Sequence, residues 1–146
     1  MAQITEYRYI KVKYESTVDW TIKTDYLRCN PKFSGSPRYD FVIANLREGP
    51  EFVQLVFAFI CRVGGQNYRL ALVQPLKRLA RAATRSIDKS LSIYRWQIRP
   101  RTRCEVIPLE CIVCGAVLVK DPVYSGDYFV LDTLDDDMYL RVKQSA

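Results

Sequence analysis

The chain of 146 residues contains no histidine. The usual general base near neutral pH is therefore missing, and with it Ser-His-Asp and Cys-His catalysis. Glycine is scarce, and the stretch NPKFSGSPR holds Gly35 alone, so no Gly-rich cradle for a nucleotide phosphate is indicated. Long apolar runs are also missing. The longest, Val53 to Cys61, is interrupted by Gln54 and falls far short of the roughly 20 residues that cross a bilayer. The opening MAQITEYRYIKVKYE lacks the apolar core of a secretory signal. No membrane partner is expected. Five cysteines, Cys29, Cys61, Cys104, Cys111 and Cys114, cannot all pair within one chain, and they read as reduced, mostly buried thiols.

What is present is ordinary in amount: 49% apolar and 26% charged residues, the composition of a globular protein. A chain this long buries about two thirds of its unfolded surface, so it folds without disulfides or a structural metal. Residues 1–146 read as a single β-rich domain, either a whole protein or a piece cut from a longer one.

Charge is distributed unevenly. Residues 1–76 carry a net +3, residues 77–103 a net +8, and residues 104–146 a net −5. The basic middle suits a polyanion; it equally suits the acidic end of the same chain or of a second copy.

Periodicity points to strands at Tyr7–Tyr14, where Ile10, Val12 and Tyr14 share the even register, and at Thr21–Arg28. Asn30 to Arg38 is dense in turn formers and reads as a loop. Tyr39–Leu46 follows as a strand, then a turn at Glu48–Gly49–Pro50. Phe52–Arg62 is apolar on both faces, the mark of a central strand. Gly64–Gly65 between this run and Tyr68–Val73 is the clearest hairpin signal, and Pro75 is expected to end the second arm. Further short strands are expected at Ser92–Ile98, Cys104–Ile107, Cys111–Val119, Tyr128–Leu131 and Met138–Val142. One helix or irregular basic insert fits residues 76–90, where Leu76, Leu79, Ala80, Ala83 and Ile87 have helical spacing. The expected fold is all-β: a small barrel or sandwich of short, mostly antiparallel strands with that one insert.

Two basic segments are candidate anion sites. In KRLARAATRSIDK, Lys77, Arg78, Arg81 and Arg85 on a helix would flank the apolar stripe and track phosphates; the alternative is a solvated face. In YRWQIRPRTR, a strand would place Tyr94, Trp96 and Ile98 on one face and Arg95, Gln97 and Arg99 on the other. Arg101 and Arg103 would project from the turn after Pro100. Interleaved rings and cations suit stacking on bases or caging a methylated cation, with Tyr94, Trp96, Tyr124 and Tyr128 as candidate aromatic contacts. The alternative puts Trp96 in the core and the arginines on the rim.

Metal chemistry is poorly served. Cys111 and Cys114 would face opposite sides of a strand, Cys104 is the nearest further thiol, and no histidine completes a zinc set. Asp132, Asp135, Asp136 and Asp137 lack calcium-loop spacing. Neither a metal, a cofactor nor a catalytic residue is expected.

Two stretches resemble known families. Residues Glu105 to Lys143, EVIPLECIVCGAVLVKDPVYSGDYFVLDTLDDDMYLRVK, resemble the closing half of a bromo-adjacent homology (BAH) domain through Val106, Ile107, Pro108, Leu109, Ile112, Val117, Tyr128 and Phe129. Where that family has Gly-Lys-Cys this chain has Val113, Cys114, Gly115 and Ala116, and Ile98, Arg99 and Pro100 echo its Tyr-Arg-Pro. The stretch YDFVIANLREGPEFVQLVFAFICRVGGQNYRLALVQPL resembles a β-rich region of fungal proteins associated with Kyakuja-Dileera-Zisupton transposons. The first resemblance implies a β-barrel-like scaffold that binds histone tails, nucleosomes or other proteins, often in chromatin, and with it a nuclear location. The second implies a transposon-derived accessory domain without the transposase's acidic catalytic centre.

The functional expectation is a non-catalytic module for chromatin or DNA, docking electrostatically through the basic centre. The competing expectation is a protein-interaction or homodimerisation module with no nucleic-acid role.

Overall fold

Alternating apolar residues in the first strands and a doubly apolar run in the middle build a molecule with two packing faces. The computed structural model describes residues 2–78 and 95–130. Within them lie β1 (Gln3–Tyr7), β2 (Tyr9–Glu15), β3 (Ile22–Phe33), β4 (Ser36–Tyr39), β5 (Phe41–Leu46), β6 (Gly49–Val63) and β7 (Gln66–Arg78). After the undescribed segment come β8 (Arg95–Ile98), β9 (Glu105–Pro108), β10 (Ile112–Ala116), β11 (Leu118–Lys120) and β12 (Asp127–Val130). Among the described residues there is no α-helix, only short 3-10 turns at Arg101–Arg103 and Leu109–Cys111. None is long and apolar enough to cross a membrane.

The β6–β7 hairpin is the spine. Gly64 and Gly65, at φ 57° and 79°, form the two-residue turn whose twist matches the strands, a conformation costly for residues with a Cβ. Each arm is long enough to serve two partners. β6 pairs with β5 over Gly49–Gln54 and with β1 over Ala58–Arg62. β7 pairs with β9 over Leu70–Val73 and with β8 over Leu76–Arg78. The main sheet runs β10-β5-β6-β7-β8-β12-β11, with β1 and β9 on the flanks, and β2-β3-β4 form a second, antiparallel sheet. The two sheets make a sandwich-like all-β fold that does not close into a barrel.

Parity decides which side chains meet. Ile10 and Val12 of β2 and Leu27 and Cys29 of β3 pack against Val42, Ala44, Val53, Leu55 and Val73 of the main sheet. Each such aliphatic side chain contributes about 1.5–3 kcal/mol by leaving water. On the opposite face of β5 and β6, Ile43 and Phe52 join Leu76, Trp96, Cys114 and Val130 in a second core. A register shift between Leu55 and Phe57 swaps the parity of β6, so that Ala58 returns to the first core. A second shift, between Ile112 and Cys114, sends those two residues of β10 into different cores.

Several expectations are corrected. Asn30–Arg38 is a strand hairpin: β3 runs on to Phe33, turns at Ser34–Gly35 and returns as β4. Pro31 is accommodated because it falls in the register shift between Asn30 and Phe33. Gly49 and Pro50 open β6, and the preceding turn is Arg47–Glu48. Pro75 does not end β7, because it sits where that strand changes partner from β9 to β8. Leu76–Arg78 are consequently strand where a helix or insert was expected; the rest of that expected insert, and the strand at Met138–Val142, lie outside the described residues.

Candidate functional site

The end of β7, the residues after β8 and the 3-10 turn at Arg101–Arg103 come together around one cleft. Lys77 and Arg78 leave β7, Arg99 follows β8, and Arg103 closes the turn; all four line one open cleft of about 540 Å³. The segment carrying Arg99 is pinned to β7 by two hydrogen bonds: Arg99 N–H donates to the Pro75 carbonyl at 2.9 Å, and Gln74 Nε2 donates to the Arg99 carbonyl at 2.7 Å. The turn is closed by Arg103 N–H donating to the Pro100 carbonyl at 2.9 Å. Backbone thus fixes the origin of each cation, while Lys77 and Arg103 remain exposed to solvent.

The cleft is not purely basic. Glu48, Glu51 and Glu105 form its other wall, and they also line a second open cleft of about 780 Å³. Burial pushes the Glu51 carboxyl above the ordinary glutamate range; Glu48 and Glu105 push the same way, and Arg99 opposes them. Four cations face three carboxylates, one of which takes up a proton early. Sequence reading does not nominate these glutamates, because the β5–β6 turn brings Glu48 and Glu51 in from far upstream.

Arg95 departs most from expectation. β8 is paired on both edges, to β7 and to β12, so it is an interior strand, and its first two residues are buried. On one face Trp96 is buried, its ring edge-on to Phe52 with centroids 4.9 Å apart. On the other, the Arg95 side chain is 2% exposed, with Nη1 donating to Asp121 at 2.5 Å and to Asp127 at 3.0 Å. Its guanidinium lies 4.3 Å from the Phe129 ring centroid and 5.9 Å from that of Tyr124. Asp121 also accepts from the Val123 N–H at 2.8 Å, which ties down the loop before β12. The Arg95 hydrogen bond, reinforced by that backbone N–H, holds the Asp121 carboxyl well below the usual aspartate range. Arg95 is a structural ion, withdrawn from any surface patch.

The remaining candidates scatter. Arg101 is exposed but does not line the cleft. Tyr128 is half-buried with its ring 5.0 Å from Phe41, and Tyr124 is exposed beside the buried ion cluster; neither lines the cleft. Trp96 lines it only from within the core, so no aromatic cage is formed by these three. Arg81, Arg85, Tyr94, Asp132, Asp135, Asp136 and Asp137 lie outside the described residues.

Among the described residues, no group of three or more Cys, Asp or Glu side chains is placed to hold a metal ion. Cys111 packs against the first core and Cys114 sits in the second, so the pair does not converge. Burial raises the Cys29 thiol to about 11, which keeps it protonated and inert near neutral pH.

The chain matches no protein-family model, no curated protein and no solved structure.

Proposed function

We propose that this domain is a non-catalytic module that docks on the phosphate backbone of nucleic acid, free DNA or DNA in chromatin. The observation that carries the reading is the convergence of Lys77, Arg78, Arg99 and Arg103, from three separate segments, on one cleft. Such a surface binds by releasing condensed counterions, so its affinity falls steeply with salt, and with no α-helix among the described residues to enter a groove they carry little base preference. Arg81 and Arg85 continue the same basic run in sequence. The resemblance of residues 105–143 to bromo-adjacent homology domains supports a nucleosomal partner and a nuclear setting.

The test is binding of labelled 30-base-pair DNA and of reconstituted nucleosomes at several salt concentrations. Arg99→Glu with Arg103→Glu should weaken binding at 50 mM salt and lower the salt slope by about one for each phosphate no longer neutralised. Unchanged affinity in the folded double variant would remove the cleft from the interface.

A second reading, a protein-interaction or homodimer module, is favoured by the surface around β11. There Val117, Val119 and Val123 are 44%, 43% and 76% exposed. Among the described residues β11 has β12 as its only strand partner, and a strand paired on one edge is the kind of element to which another chain adds a strand. Light scattering over a range of protein concentrations separates this reading from a monomeric binder.

A further inference from the structure

The second sheet has an outer face that neither core uses. In β2, Ile10 and Val12 point inward, so Tyr9, Lys11 and Lys13 point to solvent; in β3, Leu27 and Cys29 point inward, so Tyr26 and Arg28 point out with them. The register sets ring against cation across the ladder: Tyr9 opposite Arg28, and Lys11 opposite Tyr26. The contacts follow. Lys11 Nζ lies 5.9 Å from the Tyr26 centroid, and the Arg28 guanidinium lies 5.0 Å from Tyr9 and 5.4 Å from Phe33. Arg38 of β4 continues the row at 4.9 Å from Phe33, and Asp40 holds it by an ion pair of 3.0 Å.

Tyr9 and Tyr26 nevertheless remain 53% and 54% exposed, so the cations cover only part of each ring. The two tyrosines are diagonal cross-strand neighbours, a spacing that long and aromatic side chains bridge. Tyr9 and Lys11 also border a groove of about 270 Å³ floored by Ala58, Ile60 and Leu70. Trp20, 69% exposed, lies in the turn that joins β2 to β3.

We infer that this face is a stacking platform for an unpaired nucleic-acid strand. Rings on a cationic surface need a ligand that offers both a flat π face and a negative charge, and single-stranded nucleic acid offers both at every nucleotide. A duplex hides its base faces. Lys11, Lys13, Arg28 and Arg38 complement the phosphates, against Glu15 at one end of β2 and the paired Asp40. Bases stack on Tyr9 and Tyr26 while the backbone follows the cations. The platform shares its class of partner with the cleft but uses different residues and does not require the cleft to function.

The experiment is anisotropy of labelled oligo(dT) of about 20 nucleotides and of a duplex of equal length, at 50 mM salt. The variants are Tyr9→Leu with Tyr26→Leu, Tyr9→Phe with Tyr26→Phe, and the cleft pair Arg99→Glu with Arg103→Glu. The leucine pair keeps apolar bulk on the strands but removes the π faces, and should weaken oligo(dT) at least about tenfold while leaving duplex affinity unchanged. The phenylalanine pair should bind oligo(dT) like the parent. The cleft pair should lose duplex binding and keep most single-strand binding. Stacking near the hairpin tip should also quench Trp20 in the parent, with Trp96 silent in the core. Equal oligo(dT) affinity in the folded leucine pair, or no binding of oligo(dT) by the parent, overturns the platform whatever the cleft does. Loss of duplex binding in the cleft pair, with oligo(dT) blind to the leucine pair, leaves the cleft reading standing and the platform refuted.

Discussion

Arg95 and Arg103 belong to one short basic stretch and carry the same charge, yet they serve opposite ends. Arg95 sits on a strand paired along both edges and is sealed under Phe129 with two aspartates. Arg103 sits on an exposed turn at the mouth of a cleft. Net charge along a sequence therefore overstates the surface: Arg95 is one of the nine basic residues in 77–103 and adds nothing to the field outside. What separates the two is the number of strands beside each, which is a property of topology.

Removing each cation in turn separates the two roles. Arg95→Met leaves Asp121 and Asp127 buried against an apolar side chain, and should cost about 3–5 kcal/mol, the usual consequence of orphaning a buried charge. Arg103→Met should change stability by no more than about 0.5 kcal/mol. Urea melts of the two variants beside the parent measure both. Equal effects would mean that the buried cluster does not hold β8 to β12.

Acid sharpens the same point. The Asp121 carboxyl titrates below its unfolded value, so its contribution is fully present above about pH 4 and is lost as pH falls through the depressed folded value. In Arg95→Met the depression shrinks, because the guanidinium, its largest cause, is gone while the Val123 and Tyr124 N–H groups still favour the carboxylate against burial. The stability gap between parent and Arg95→Met should therefore be widest at pH 7 and narrow by pH 3. Arg103→Met should run parallel to the parent throughout. A gap independent of pH would assign the loss in Arg95→Met to packing alone.

The same logic explains how much of the molecule is legible in its sequence. Where a feature depends on neighbours in the chain, residue types suffice: the Gly64–Gly65 turn, the inward Ile10 and Val12, and the doubly apolar β6 all follow from local pattern. Where a feature depends on distant pairing, they do not. Pro31 and Pro75 read as breakers because the register shift and the change of partner that accommodate them are set by other strands. The cations of the cleft are visible as a run, but Glu48 and Glu51 opposite them arrive through the β5–β6 turn. The ring-and-cation row of β2 and β3 is likewise split between two stretches of sequence that become one surface only in register.

Gly115 offers an intermediate effect. It lies where β10 crosses the second sheet: its N–H donates to Asp25 at 2.7 Å, and an added Cβ would stand 2.8 Å from Leu27 Cδ2. Leu27 is buried in the first core and has little room to yield. Gly115→Ala should cost about 1–3 kcal/mol in a urea melt without touching the cleft, so duplex affinity per folded molecule should be unchanged. Coupled losses of stability and affinity would show that the cleft depends on sheet-to-sheet packing, which the exposed positions of Lys77 and Arg103 argue against.

The smallest effect tests the mixed wall of the cleft. Glu51 faces the cations from a half-buried site, and burial raises its titration, so that it is neutralised at a higher pH than an ordinary glutamate. Glu51→Gln removes that charge at every pH. With one unit charge acting over about 8 Å in solvent-like dielectric, duplex affinity should rise about two- to threefold at pH 7. The parent should gain the same increment on acidification through the raised Glu51 value, whereas the glutamine variant should not. The sign is fixed by the geometry: removing a negative charge from the wall of an anion site strengthens it, and removing it from the wall of a protein-docking surface of mixed charge does not. A variant that binds duplex more weakly than the parent would therefore place the phosphates outside this cleft.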